Sequence, residues 1–254
     1  MGVGDLSFAA IHSLKAIDDW IATINANMGG TARVGYKASR VTFTGGTALI
    51  ARNAAGGALP IQIPEQSLSN AGTSIDFSQG AIVASTEKTH FAIQGKGFYV
   101  LRDDSDSDGV PDGGTYYSRD GEFHLDSGNR LRNSLGLLLV SAASTGAAVT
   151  VTNIDILDPN STTGLQGGPI AIRQINNESD LQFSKYGSTI FLQGTATLGG
   201  TASNLTITQS LEASNASLTQ LVPELSLAQK MFSAISKVLQ VNYQNIDTIL
   251  NLIR

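Results

Sequence analysis

The chain has 254 residues, of which 16 are Lys or Arg and 21 are Asp or Glu, so the net charge is −5 and only 15% of positions are charged. Without a concentration of Lys and Arg it offers neither the positive surface that nucleic acid requires nor a basic membrane patch. Zero cysteines exclude a disulfide framework, a thiolate zinc site and a thiol nucleophile.

At the start of the chain no basic region precedes an apolar run, so no secretory signal peptide is expected. Ala10, Leu14, Ile17, Ile21, Ile24 and Met28 recur at alternating spacings of four and three, which predicts a helix with one narrow apolar stripe. Gly29 and Gly30 are placed to end it. From Val41 to Ser210, short runs of alternating polarity are separated by turn residues. The expected strands are Phe91–Ile93, Phe98–Arg102, Thr115–Ser118, Glu122–Leu125, Leu137–Ser141, Val149–Thr152, Ile170–Gln174, Ile190–Leu192 and Leu205–Thr208. Asp120-Gly121 and Ser127-Gly128-Asn129 are turn signals at hairpin spacing. A total of 27 glycines in the chain fits such a turn-dense middle.

The C-terminal pattern is the longest. Leu218, Leu221, Leu225, Ala228, Phe232, Ile235, Leu239, Asn242, Ile246, Ile249 and Ile253 step by three and four without a break, as a coiled-coil seam does. A continuous helix over that span would be about 54 Å long. Pro223 falls in or near the first turn if Ser217 or Thr219 is the cap, and otherwise kinks the helix. No apolar run reaches the roughly 20 residues that span a bilayer, so membrane insertion is not expected.

The expected fold is therefore α+β, with N- and C-terminal helices paired as a coiled coil and a β-rich domain inserted between them. Its divisions are an N-terminal helical segment 1–40, a β-rich domain 41–210 and a C-terminal helix 211–254. Leu14, Ile17, Ile21 and Ile24 on one helix, with Leu225, Phe232, Ile235, Leu239, Ile246 and Ile249 on the other, are the candidate partner-binding residues. Both stripes are too narrow for helices buried all round and too regular for solvent-facing ones.

Catalysis has little to rest on. His12, His90 and His124 are scattered among unrelated patterns and read as structural, and no nucleophile elbow, zinc-protease motif or phosphate loop occurs. Gly95-Lys96-Gly97 lacks a third glycine and leads into a strand, so it reads as a tight turn, not a dinucleotide site. The acidic run Asp104-Ser-Asp106-Ser-Asp108-Gly109-Val110-Pro-Asp112 is sharper. It sets carboxylates at loop positions 1, 3, 5 and 9, a glycine at 6 and the Val110 carbonyl at 7. Asp104, Asp106, Asp108, Val110 and Asp112 are thus candidate ligands for one weakly held structural Ca²⁺, without the position-12 Glu of an EF-hand.

Four segments carry a resemblance. Ile24–Lys37 (INANMGGTARVGYK) is similar to an Asn-rich stretch ending in Thr-x-Gly-Tyr-Lys. Ser78-Gln79-Gly80 and Phe91–Val100 (FAIQGKGFYV) are similar to Ser-Gln-Gly and Ala-Ile-x-Gly-x-Gly-Phe-Phe-x-Val. Tyr117–Leu131 (YSRDGEFHLDSGNRL) is similar to a Tyr-Thr-Arg-Asp-Gly hairpin, and Leu211–Phe232 carries Leu-Glu-x-Ser-Asn and an Ala-Gln pair. In this order they resemble the bacterial flagellar rod and hook family, most closely its distal-rod branch. The departures are two extra residues between Thr31 and Gly35, Pro223 within the terminal helix, and the acidic insertion Asp103–Gly113.

The resemblance implies a structural subunit, not an enzyme, that polymerises helically with copies of itself and other flagellar axial proteins to transmit motor torque. It also implies a place in the basal body or hook and type III export without a cleaved signal. A competing reading, a calcium-dependent adhesive β-domain on a helical stalk, accounts for Asp104–Asp112 but not for the four segments.

Overall fold

The computed structural model describes residues 3–45, 49–52, 61–63, 67–104, 110–111, 113–142, 147–166, 168–202 and 206–252. Helix α1 spans Val3–Gly30 and helix α2 spans Leu218–Leu252, with short strands between them, so the coarse α+β order is as expected. α1 ends at its glycine pair. α2 begins at Leu218, which makes Pro223 its sixth residue, beyond the first turn. The helix continues through it without the hydrogen bond that a residue-223 amide would have made.

The chain divides into two compact units, and the division differs from the expected three-part scheme. One unit comprises Met1–Met28, Ser39–Ile75 and Ser217–Arg254; the other comprises Gly29–Ala38 and Asp76–Ala216. Residues 39–75 were expected in the β-rich domain, yet they group with the helices.

The reason lies on a second face of α1. Strand Ser39–Gly45 pairs antiparallel with Leu68–Ile75, from Ser39 opposite Ile75 to Gly45 opposite Leu68, with a bulge at Thr42/Phe43. Trp20 meets Phe43 edge to face at 5.5 Å. The Leu68 amide donates to Ser13 Oγ at 2.9 Å. Asn27 behaves like one more strand residue: its Nδ2 donates to the Ser39 carbonyl at 2.6 Å and its Oδ1 accepts from the Ser39 amide at 2.8 Å. Ser13, Trp20 and Asn27 recur every seven residues, so they form a stripe of their own. It is partly polar, and apolar periodicity passes over it.

The second unit is built on a nine-stranded sheet among the described residues. From one edge it runs Gln182–Ser184, Gly187–Leu192, Thr115–Ser118, Phe98–Arg102, Leu138–Leu139, Leu131–Asn133 and Phe123–Leu125. Ile172–Ile175 joins Phe98–Arg102 and carries Leu198–Ala202 on its far side. Tyr99, Leu101, Phe123, Leu131, Leu139, Ile172 and Ile190 project into one buried apolar cluster. The strand rule of alternating faces thus places Phe98, Val100 and Arg102 on the side opposite Tyr99 and Leu101.

Most expected strands are present with shifted ends; Leu205 lies outside the described residues. One turn assignment is corrected. Ser127-Gly128-Asn129 does join paired strands, Phe123–Leu125 and Leu131–Asn133. Asp120-Gly121 does not, because Thr115–Ser118 pairs with Phe98–Arg102 and Gly187–Leu192 instead. It is a corner, and its glycine serves close approach: a Cβ on Gly121 would lie 1.6 Å from the Phe91 carbonyl oxygen. Gly95 and Gly97, at φ +94° and +143°, form the tight turn that the sequence suggested.

Candidate functional site

Within the β-rich unit, the conspicuous chemistry is a buried charge knot. Glu212 is its hub. Lys37 Nζ donates to Glu212 Oε1 at 2.5 Å, the Gly80 amide donates to the same oxygen at 2.9 Å, and Arg119 Nη1 donates to Oε2 at 3.1 Å. The side chains of Lys37 and Glu212 are fully buried, and that of Arg119 nearly so.

The cations make further bonds, although Arg119 Nε is buried without a partner among the described residues. Lys37 also donates to the Ser78 carbonyl at 2.7 Å, Arg119 Nη2 donates to the Gly95 carbonyl at 2.7 Å, and the Arg119 guanidinium lies over the Phe98 ring. Burial pulls the Lys37 ammonium below the usual lysine range, and the charge and hydrogen bond of Glu212 oppose that pull. A charge removed from water costs several kcal/mol unless paired and fully hydrogen-bonded, and here each is paired.

Neighbouring polar groups extend the knot. Gln79 bridges the Ile93 carbonyl and the Gly95 amide at 2.8 and 2.9 Å. Asn215 accepts from the Ala38 amide at 2.8 Å and donates to the Asp76 carbonyl at 2.7 Å, while the Asp76 amide donates to the Ala38 carbonyl at 2.8 Å. Gly35 adopts φ +65°, and a Cβ there would sit 2.4 Å from the Arg119 carbonyl carbon, so this position takes only glycine without a shift. Beside it, burial raises the Asp120 carboxyl to about 6 despite a hydrogen bond from the Glu122 amide.

The knot unites the four segments that carry the family resemblance. Tyr36-Lys37, Ser78-Gln79-Gly80 with the Gly95 turn, Arg119, and Glu212 with Asn215 are remote in sequence and meet here. Sequence reasoning quoted these residues as pattern without naming them as a site. The available signal was their place inside the four quoted segments.

The other candidates fall in separate places. Asp104 is buried and its carboxylate is held by Arg132, while Val110 is exposed. Asp106, Asp108 and Asp112 lie outside the described residues. Among the described residues no group of three His, Asp or Glu side chains is disposed to hold a metal ion. Asp126 organises the nearby hairpin. Although burial works against it, amide hydrogen bonds from Arg130 and Gly128 and the Arg132 and Arg130 side chains hold its carboxyl down to about 2.

On α1, Ile17 and Ile24 are buried and Leu14 and Ile21 half-buried. On α2, Leu225, Ile235, Leu239 and Ile246 are half-buried, whereas Phe232 and Ile249 are exposed; Ile253 lies outside the described residues. Asn242, the polar member of the α2 stripe, is buried and donates to Ser7 Oγ at 2.8 Å.

Both oxygens of Glu212, the Lys37 ammonium and two of the three Arg119 nitrogens are bonded inside the fold, so the knot holds distant segments together. Residues 92–210 match the family description "Flagellar hook protein FlgE/F/G D1 domain". The flagellar hook protein FlgE of Escherichia coli (strain K12) is 30% identical over 178 residues, covering 67% of this chain and 39% of that protein. The flagellar basal-body rod protein FlgG of Bacillus subtilis (strain 168) is 27% identical over 272 residues, covering 97% of this chain and 98% of it. FlgG of Borreliella burgdorferi is 28% identical over 187 residues, 68% of this chain and 67% of that one. The chain belongs to the flagellar hook and rod protein family. It spans little more than a third of the length of the hook proteins it matches.

Proposed function

We propose that the chain is a structural subunit of the flagellar axial structure, polymerising helically to carry motor torque, and that it serves in the rod. The observation that carries this reading is the surface of α2. Of the 22 large apolar side chains exposed among the described residues, ten lie on this one helix, including Val222, Leu227, Val238, Val241 and Leu250 at about half exposure or more. Its 35 residues include just four charged ones, Glu224, Lys230, Lys237 and Asp247. Apolar side chains exposed in this number along one helix mark an association surface. A closed or helical assembly of identical chains is the economical way to cover it. Alignment along nearly the whole of a rod protein supports the rod over the hook.

Pairing of α1 and α2 as a coiled coil belongs to the proposal. It is supported by the buried Asn242–Ser7 hydrogen bond and by the half-buried seam positions Leu225, Ile235, Leu239 and Ile246. Export by the flagellar type III apparatus follows from the same reading. Electron microscopy of the concentrated full-length chain tests it: helical tubes or rods are expected, and their loss on deleting residues 1–28. A chain that stays monomeric at every concentration and does not join isolated basal bodies would contradict it.

A further inference from the structure

The outer face of the nine-stranded sheet carries a cleft that the knot does not use. Val100 and Arg102 project there from one strand, and Thr115 and Tyr117 are their cross-strand partners. On the other side, Arg173 pairs in register with Phe98, four residues from Arg102 along the strand and therefore about 13 Å away at the backbone. Both arginines line one cavity of about 340 Å³. That volume lies within the range of small-ligand sites.

Charge in this cleft is one-sided. Its lining contains two guanidinium groups and no Asp or Glu, in a chain whose net charge is −5. Neither arginine has a carboxylate partner among the described residues. Arg102 donates one bond, from Nη2 to the Gly113 carbonyl at 3.3 Å, and its buried Nε has no partner among the described residues. Tyr117, Ser141 and Gln193 add hydrogen-bonding groups to the walls. A buried guanidinium N–H without an acceptor, as at Arg102 Nε, is costly, and the acceptor that fits an arginine fork is a planar carboxylate or a phosphate oxygen pair.

We propose that this cleft is an oxyanion-binding site in which Arg102 and Arg173 clamp a carboxylate or phosphate group. The group comes either from a free small anion or from an acidic side chain of a neighbouring chain. The probe is malonate, with inorganic phosphate beside it and chloride at matched ionic strength as the reference. Calorimetry on the full-length chain should show saturable malonate binding that chloride does not reproduce. Arg173→Gln should weaken it at least tenfold, Arg173→Lys should weaken it less, and neither should shift the melting temperature in chloride by more than about 2 °C. Arg102→Gln gives a second, independent removal of charge.

Assembly distinguishes the sources. Inhibition by malonate, together with poor assembly of Arg173→Gln, places a neighbour's carboxylate in the cleft; binding without any effect on assembly assigns it to a free anion. The binding arm stands whether or not the chain polymerises. Equal heats and equal melting shifts in malonate, phosphate and chloride, or unchanged malonate binding in both Gln variants, would overturn the proposal.

Discussion

The helical unit and the β-rich unit answer the same problem in opposite ways. In the β-rich unit the charged hub is buried and paired, with Lys37 and Arg119 both on the Glu212 carboxylate. In the helical unit α2 leaves Val238, Val241 and Leu250 about half exposed or more. The first closes its charged hub within the chain, and the second, on the proposed reading, offers exposed apolar side chains to a neighbour. The difference teaches that the part that holds its shape and the part proposed to find a neighbour can be separate.

The sharpest way to break this contrast is at the hub. Glu212→Ala strands two buried cations, and loss of one partner from a buried ion pair costs about 3–5 kcal/mol. Chemical denaturation followed by the tyrosines of the β-rich unit should show that loss. A loss under about 1 kcal/mol would mean that the knot is not holding the fold.

Asp120 tests the same unit with the opposite sign. Its folded pKa of about 6 lies above the ordinary 3.8, so its ionised form weighs against the fold above pH 6 and the penalty fades as pH falls toward 3.8. Asp120→Asn should therefore stabilise at pH 7.5, by up to about 3 kcal/mol, and have no such effect near pH 4. Melting curves across that range check both the sign and the window.

The extent of the helical unit is the next target. Trp20→Ala removes the ring that meets Phe43 and should cost about 2 kcal/mol. Hydrogen exchange should quicken at residues 39–45 and 68–75, with the amides of Phe98–Arg102 unchanged. The smallest effect is expected at the acidic loop, where Arg132 already holds Asp104. Calcium at 1 mM should add no more than about 0.4 kcal/mol, corresponding to a Kd near 1 mM. Calorimetry with no calcium heat at millimolar concentration would remove the loop as a site.

Legibility in the sequence followed physical scale. α1 and α2 were readable because three- and four-residue spacing of Ile and Leu is a local property of one helix. Phe98–Arg102 and Thr115–Ser118 were readable because aromatic and β-branched runs between turn residues announce strands. The grouping of 39–75 with α1 was not, because Ser13, Trp20 and Asn27 contribute hydrogen bonds and one aromatic contact in place of an apolar stripe. Nor was the knot. Lys37, Arg119 and Glu212 are separated by up to 175 positions, and only the folded chain brings both cations within 3.1 Å of the Glu212 carboxylate. The Asp120-Gly121 corner was misread because the dipeptide that favours hairpins also permits a close backbone approach.

The central claim is that the exposed apolar side chains of α2 serve assembly and contribute nothing to the fold of the single chain. It is tested most directly by the double variant Val238→Asp, Val241→Asp, with monomer melting and polymer formation measured on the same preparation. Exposed substitutions of this kind normally change stability by no more than about 0.5 kcal/mol each. The account predicts a melting curve close to that of the parent chain together with loss of polymers by sedimentation and electron microscopy. Normal polymers from the double variant, or a collapse in monomer stability, would contradict it.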